Sequence, residues 1–234
     1  MKIVKKVIFS VLVTVSSVPV AVSHVNSESK QQSDCVNRYI LEAERGNANA
    51  QNELGLCYSN GKNEEQAVFW FRKAAEQGYA SAQYNLGVRY MVGNGVGKNS
   101  MQAANWFRKA AEQDVAEAQY NLGVFYTHGD GVNQNYEQAF YWYQKASWHG
   151  YALAQINLGI CYQLGHGVSQ DCTQAIYWYR QAAEQGFADA QCNLGGCYFN
   201  GCGVTKDNRQ AEYWFRKAAE QGHEKAKNFL RRNF

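Results

Sequence analysis

One unit of 36 residues recurs through most of this chain and ends each time in a variant of Ala-Ala-Glu-Gln-Gly. The pentapeptide stands at Ala74–Gly78, Ala182–Gly186 and Ala218–Gly222, with altered copies at Ala110–Asp114 and Ala146–Gly150. A fixed period of this length is typical of solenoids, in which each unit packs mainly against its neighbours. The sequence therefore predicts an extended array, although its 234 residues would suffice for one or two globular domains.

The first half of each unit has the apolar spacing of a helix. Alanine, leucine and tyrosine follow one another at intervals of four residues, as in Ala82, Leu86 and Tyr90, which places them on one stripe. A glycine follows each of these leucines, at Gly55, Gly87, Gly123, Gly159 and Gly195. Because glycine costs about 1 kcal/mol inside a helix, its recurrence indicates that a second helix approaches closely at this point.

The second half of each unit predicts that second helix. Its apolar stripe contains a tryptophan, at Trp70, Trp106, Trp142, Trp178 and Trp214, which we expect to be buried. Asn or Asp stands before it and Gln three residues later, which is the spacing of a capping box. A glycine ends the helix at the position that needs a left-handed residue, and Asp114 replaces it in one unit, where we expect slight strain.

A Gly-x-Gly-Val segment joins the two helices in four units, at Gly93–Val96, Gly129–Val132, Gly165–Val168 and Gly201–Val204. Paired glycines also occur in phosphate-binding loops, but here no strand precedes them and no P-loop lysine pattern follows. We therefore expect the glycines to turn the chain and the valine to fill the gap between the helices.

This combination of Ala-x-x-x-Leu-Gly-x-x-Tyr, Gly-x-Gly-Val, a Trp-aromatic pair and Ala-Ala-Glu-Gln-Gly resembles the Sel-1-like repeat family, a branch of the tetratricopeptide-type solenoids. The resemblance implies an all-α, right-handed α/α superhelical solenoid of helix-turn-helix repeats. It covers five units, at residues 47–78, 79–114, 115–150, 151–186 and 187–222. Residues 33–46 and 223–234 read as single capping helices at the two ends.

The N-terminal residues have the pattern of a secretory signal peptide. Lys2, Lys5 and Lys6 precede an apolar stretch from Val7 to Val18, and Ala21-Val22-Ser23 offers a cleavage site. The alternative is an uncleaved anchor. We predict a signal peptide at 1–23, a polar linker at 24–32 and export of the mature chain, to the periplasm or the medium. No membrane insertion of the mature chain is expected.

The net charge of the predicted mature chain does not favour binding to nucleic acid. The formal net charge is +3 at pH 7, and residues 1–23 contribute three lysines and no acid. Without them the chain has no net formal charge, so nothing attracts it to nucleic acid or to an anionic membrane.

Seven cysteines remain after the predicted cleavage, and export to an oxidising compartment favours disulfides. From the helical positions we predict bridges Cys35–Cys57, Cys161–Cys172 and Cys197–Cys202, with Cys192 free. Cys192, Cys197 and Cys202 lack a histidine that would complete a zinc motif, so we predict no metal site.

Two surfaces are candidates for contact with a protein or peptide partner. In the family that the chain resembles, the first helix of each unit lines the concave face. We call its variable apolar positions the first-helix strip; they are Tyr84, Val88, Tyr120, Val124, Ile156 and Ile160. The other interpretation is that these side chains pack against the neighbouring unit. The second candidate, the outer patch, comprises Tyr141, Trp148 and His149, where Trp-His replaces the usual Glu-Gln.

The predicted function is that of an exported scaffold or adaptor that binds proteins, with no catalytic residues and no cofactor. The family resemblance implies a role in envelope regulation or in contact with host proteins. The rival is penicillin-binding or β-lactamase-like activity, which has been described for cysteine-rich relatives. The Ser-x-x-Lys motif of serine β-lactamases occurs at Ser27-x-x-Lys30. The Lys-Thr-Gly and Ser-Asp-Asn motifs that should accompany it are absent from the sequence. A third possibility is a structural envelope protein without a discrete ligand.

Overall fold

The computed structural model describes the backbone of residues 21–234 and the side chains from residue 30 onward, so residues 1–20 of the predicted signal peptide lie outside the described part. The described chain forms twelve α-helices and no strand. In chain order they are α1 Ala21–Glu44, α2 Ala48–Asn60, α3 Glu64–Glu76, α4 Ala80–Val92, α5 Ser100–Ala111, α6 Ala116–His128, α7 Tyr136–Trp148, α8 Ala152–Leu164, α9 Cys172–Glu184, α10 Ala188–Asn200, α11 Asn208–Glu220 and α12 Glu224–Asn233.

Every helix packs against the helices before and after it in the chain. The five units are α2–α3, α4–α5, α6–α7, α8–α9 and α10–α11, with α1 and α12 as single helices at the ends. Each unit buries its alanines and leucines against the next unit, because one helical hairpin alone cannot cover its apolar stripe. The predicted all-α solenoid of helix-turn-helix repeats is confirmed.

The glycine after each leucine allows the close approach that the sequence predicts. A Cβ atom on Gly87 would lie 2.7 Å from the ring of Phe107, and one on Gly55 would lie 2.7 Å from Phe71. The remaining three units repeat the arrangement with Tyr143, Tyr179 and Phe215. These aromatics follow the tryptophan in sequence and lie deeper than it does: Phe71, Phe107 and Tyr179 are fully buried.

The tryptophans themselves are less uniform than predicted. Trp70 and Trp142 are buried, whereas Trp106, Trp178 and Trp214 are partly exposed. The expectation that all five are core residues is therefore wrong for three of them. The aromatic residue that follows each tryptophan fills the space over the glycine, so the tryptophan is displaced toward the edge of the hairpin.

The second helices form one of the two hydrogen bonds of the predicted capping box and replace the other. The Asn99 side chain accepts a hydrogen bond from the Gln102 backbone at 3.0 Å, and the other four second helices repeat this contact. The backbone N–H of Asn99, which a full capping box would pair with the glutamine side chain, donates to the Tyr90 carbonyl at 2.9 Å. This bond ties the start of the second helix to the end of the first.

The Gly-x-Gly-Val loops turn the chain as predicted and also reach the preceding unit. The first glycine, such as Gly201, adopts the left-handed conformation that ends the first helix. The second, such as Gly203, lies against the backbone of Cys172 at the start of the previous second helix, where a Cβ would clash. The valines are partly buried in the same clusters, and Asp114 takes the strained left-handed conformation with φ of 61°.

The N-terminal helix is longer than the sequence prediction. Residues 24–32, predicted as a linker, are helical and belong to α1, and the predicted capping helix 33–46 is its second half. No Gly or Pro interrupts the sequence between Ala21 and Glu44, so nothing in the chain stops the helix from continuing. At the other end, α12 occupies the predicted C-terminal cap.

Candidate functional site

The first-helix strip is embedded between units more deeply than an open apolar groove would be. Ile156 is 7% exposed and belongs to the core. Val88, Val124 and Ile160 are half-buried against the same clusters. The apolar part of the strip therefore contributes mostly to packing between units, which is the alternative interpretation of these positions.

The tyrosines of the strip, Tyr84 and Tyr120, remain half-buried, and Tyr120 lies against a third tyrosine, Tyr151. Tyr120 lies 5.3 Å from Tyr151, between ring centroids, and Tyr84 lies 5.9 Å from Phe107. Burial raises the pKa of Tyr84 and, to a smaller extent, the Glu117 carboxylate raises it too. The pKa of Tyr151 is raised by burial and then by Tyr84, Glu117 and Tyr120. We call these four residues the tyrosine cluster: Tyr84, Glu117, Tyr120 and Tyr151.

A row of asparagines runs beside the tyrosine cluster, one from each first helix. Asn85 donates to Asn52 at 3.0 Å, which links two successive units. The Asn121 and Asn157 side chains lower the pKa of Tyr84 and of Tyr120, respectively, against the larger effect of burial, which raises it. Phenol, carboxylate and amide groups together can donate and accept hydrogen bonds to the backbone of an extended polypeptide.

Neither Tyr151 nor the asparagines were singled out in the sequence. Tyr151 precedes α8 and aligns with Tyr79, Val115 and Phe187, so its position looks like a cap position without a capping side chain. The asparagines recur in Asn-Leu-Gly in four of the five units, whereas Asn52 stands two residues before Leu54, and this regularity makes them look structural. Their adjacency to the tyrosines becomes visible when the units are stacked.

The outer patch lies on the second helix of the third unit and is accessible. Trp148 is 68% exposed and Tyr141 is 44% exposed, while His149 caps the end of α7. The patch also belongs to a longer row that the sequence analysis did not identify. Exposed aromatics precede the tryptophan in four units, at Phe69, Tyr141, Tyr177 and Tyr213, and each packs edge-on against that tryptophan.

Two disulfides are present in the described chain. Cys35 pairs with Cys57, as predicted, and links α1 to α2 with a Cα–Cα distance of 5.8 Å. Cys172 pairs with Cys202, with a Cα–Cα distance of 5.3 Å. The predicted bridges Cys161–Cys172 and Cys197–Cys202 are therefore wrong. The prediction sought partners within one unit, whereas the loop that carries Cys202 lies against α9 of the preceding unit.

Cys161, Cys192 and Cys197 are free thiols. Cys161 and Cys197 are buried, and burial raises the pKa of each to about 11. Cys192 is partly exposed, and its pKa is raised by burial and then by Asp189. Thiols of this kind are poor nucleophiles at neutral pH.

The described residues contain no group of three or more His, Cys, Asp or Glu side chains arranged to hold a metal ion. Among the described helices, none combines the length and the apolarity that crossing a membrane requires.

Comparison with known proteins supports the same architecture. The Sel1 repeat profile matches residues 48–79, 80–115, 116–151, 152–187 and 188–223, one residue later than the predicted boundaries in each unit. No curated protein matches the chain.

Two solved structures resemble the fold at 40% sequence identity. One is a protective antigen present in uropathogenic Escherichia coli strains, described as displaying an SLR fold. It superposes with a TM-score of 0.79. The superposition covers 82% of this chain but 42% of the antigen, so this chain spans less than half of the antigen's length. The other is a Sel1 repeat protein from Oxalobacter formigenes, with a TM-score of 0.73 over 77% of this chain and 74% of that one.

Proposed function

Because the chain belongs to the Sel1 repeat family, whose members generally mediate protein–protein interactions, we propose that it is an exported scaffold that binds an extended polypeptide segment at the tyrosine cluster. The observation that carries the proposal is the contact between the half-buried rings of Tyr120 on α6 and Tyr151 before α8, 5.3 Å between centroids, with Tyr84 and Glu117 near enough to raise the pKa of Tyr151. Tyrosines are enriched at binding hot spots because they offer apolar area and a hydrogen-bonding group at low entropic cost.

The asparagine row suits a polypeptide ligand in particular. A peptide backbone presents one donor and one acceptor per residue, and a carboxamide can satisfy both. The amides of Asn121 and Asn157 lie close to the tyrosines, so a segment that crosses the cluster along the solenoid would meet an amide at each of these two units.

Export is supported by two independent features. The basic, apolar and small-residue segments of residues 1–23 follow the order of a secretory signal, and disulfides such as Cys35–Cys57 persist mainly in oxidising compartments. When the full chain is produced in a bacterium, we expect mass spectrometry of the extracellular and periplasmic fractions to find a protein that begins at His24. A full-length chain retained with reduced cysteines in the cytoplasm would contradict export.

The binding proposal is tested by selecting peptides from a displayed library against the folded chain. We expect the selected peptides to lose at least tenfold in affinity against Glu117→Gln and against Tyr120→Phe, as measured by calorimetry. The matched control is Glu137→Gln, which makes the same change on a second helix, away from the tyrosine cluster. Equal affinity for all four proteins would reject the tyrosine cluster as the binding surface.

The rival activity of the cysteine-rich relatives has no supporting observation among the described residues. Ser27 and Lys30 lie in α1, and no accompanying motif is present in the sequence. We expect no turnover of nitrocefin, and measurable hydrolysis by the purified chain would replace the scaffold proposal with an enzymatic one.

A further inference from the structure

A ladder of buried glutamines runs through the solenoid. One glutamine of each first helix donates its side-chain amide to the carbonyl that lies eight residues earlier, as Gln83 does to Ala75 at 3.2 Å. Its oxygen then accepts from a second glutamine, at the end of the unit. The four complete pairs are Gln77–Gln51, Gln113–Gln83, Gln185–Gln155 and Gln221–Gln191, with distances of 2.7 to 2.8 Å.

The ladder breaks in the third unit. Gln119 is the fifth acceptor, and the position that should hold its partner is occupied by His149. Gln119 donates to the Ala111 carbonyl at 3.1 Å and to the Asp114 carboxylate at 3.2 Å, so its amide orientation is fixed by two acceptors. Its oxygen is left buried without a hydrogen-bond partner, in a side chain that is 0% exposed.

A second acceptor at the break is the backbone carbonyl of Asp114. In two other units the ladder glutamine donates to the carbonyl at this position as well, from Gln113 to Gly78 at 3.0 Å and from Gln185 to Gly150 at 3.2 Å. His149 has no such carboxamide. Its side chain lies 4.0 Å from the Asp114 carboxylate and makes no hydrogen bond within the described chain.

We propose that the break is a binding site for a primary carboxamide, namely an Asn or Gln side chain of a partner polypeptide. The complete units show which chemistry fits, because there a single carboxamide nitrogen donates to both equivalent oxygens. A buried acceptor without a partner destabilises the folded chain, and a ligand that supplies the missing donor recovers that cost.

The surroundings favour a neutral carboxamide over a cation. Lys145 lies 3.9 Å from the Asp114 carboxylate, so the negative charge at the site is already paired and gives an ammonium or guanidinium group little advantage over a neutral carboxamide. The half-exposed imidazole of His149 can turn aside because no hydrogen bond holds it. Trp148, 68% exposed and adjacent, offers an apolar surface for the methylene groups of the incoming side chain.

This proposal does not depend on the function proposed for the tyrosine cluster, although Gln119 and His149 are close in sequence to Tyr120 and Tyr151. It assigns a ligand chemistry to the outer patch, where the repeat departs from its own pattern at Trp148-His149.

The test compares three capped heptapeptides with the sequence Gly-Ser-Gly-Xaa-Gly-Ser-Gly, in which Xaa is Gln, Glu or Met. Titration into the isotope-labelled chain is followed by NMR at the Trp148 indole and the Gln119 side-chain amide. We expect saturable shifts with the Gln peptide and at least tenfold weaker responses with the other two. Equal responses to all three peptides, or no response to any, would overturn the proposal.

Two variants sharpen the result. His149→Gln restores the ladder and should abolish the response while raising Tm. Gln185→His creates the same break one unit further on, beside Gln155, and should add a second responding site there. If the His149→Gln chain still binds the Gln peptide as the parent does, the carboxamide site is excluded.

Discussion

At the residue scale, the smallest side chain sets the spacing between the two helices of a unit. A Cβ atom on Gly159 would lie 2.5 Å from the ring of Tyr179, which is closer than real Cβ contacts. Gly196, the residue after Gly195, faces open space, with nothing within 4 Å of its Cβ position. Substitutions at Gly159 and Gly196 therefore distinguish two effects: the loss of close packing between the two helices, and the low helix propensity of glycine.

We expect Gly159→Ala to lower the free energy of unfolding by about 1–3 kcal/mol, because the added methyl overpacks the interface with Tyr179. Gly196→Ala should raise it by up to about 1 kcal/mol, through helix propensity alone. Urea denaturation of both variants measures the two changes. A Gly159→Ala chain as stable as the parent would show that the helices do not need this approach.

The free thiols form a second residue-scale contrast. Cys161 is 5% exposed and Cys197 is 1% exposed, and burial raises the pKa of each to about 11. At pH 8 about one thousandth of such a thiol is thiolate, the form that reacts. We expect iodoacetamide to modify Cys192 first in the native chain, and all three at similar rates in urea. Modification of Cys161 before Cys192 would contradict the buried placement.

Residues whose role is local were predictable from the sequence. Helix caps and the glycine after each leucine depend on contacts within one unit, and the structure has them in place. The depth of Trp178 was not predictable, because it depends on which of two adjacent aromatics, Trp178 or Tyr179, reaches the glycine. Likewise, the sequence shows that His149 replaces the glutamine expected opposite Gln119. That this leaves the Gln119 side-chain oxygen without a hydrogen-bond partner is visible only in the structure.

At the element scale, the same contact between helices recurs with different residues. Cys35 of α1 and Cys57 of α2 are 22 residues apart, and the same spacing relates Ala139 of α7 to Cys161 of α8. Both Ala139 and Cys161 are buried in one cluster. A cysteine at position 139 should therefore reproduce the geometry of the N-terminal bridge.

We expect Ala139→Cys to form a disulfide with Cys161 under oxidising conditions. Mass mapping of non-reduced peptides should find the new link, and closing a loop of this length stabilises the chain by about 3 kcal/mol. The control is Ala211→Cys, also buried, since the residue 22 positions later is Asn233 and cannot pair. A free thiol at both engineered positions would show that α1–α2 packing differs from α7–α8 packing.

The contacts between a loop and the preceding unit explain what the sequence prediction missed. Residues 30 positions apart form the Cys172–Cys202 bridge between the fourth and fifth units. The equivalent positions one unit earlier hold a stacked Tyr136–His166 pair, 4.4 Å between ring centroids. A repeat pattern defines the contents of a unit well. It says little about which face of one unit meets the next, because that depends on the superhelical arrangement.

At the scale of the whole molecule, stability is distributed along one dimension. Each helix packs against its chain neighbours, so a local loss should spread to adjacent units and no further. The two disulfides lie toward opposite ends, Cys35–Cys57 across α1 and α2 and Cys172–Cys202 between the last two units. Neither disulfide involves a residue of α4 to α7.

Reduction should therefore loosen the ends of the solenoid and leave its middle unchanged. We expect hydrogen–deuterium exchange in a reducing agent to accelerate in α1, α2 and α9 to α11, because local opening there no longer works against a crosslink. Protection in α4 to α7 should stay within error of the oxidised chain. Replacing Cys35 and Cys57 with Ser in the oxidised protein should reproduce the N-terminal effect alone. A uniform rise in exchange along the chain would instead show that the units unfold together, and the nearest-neighbour description would then fail.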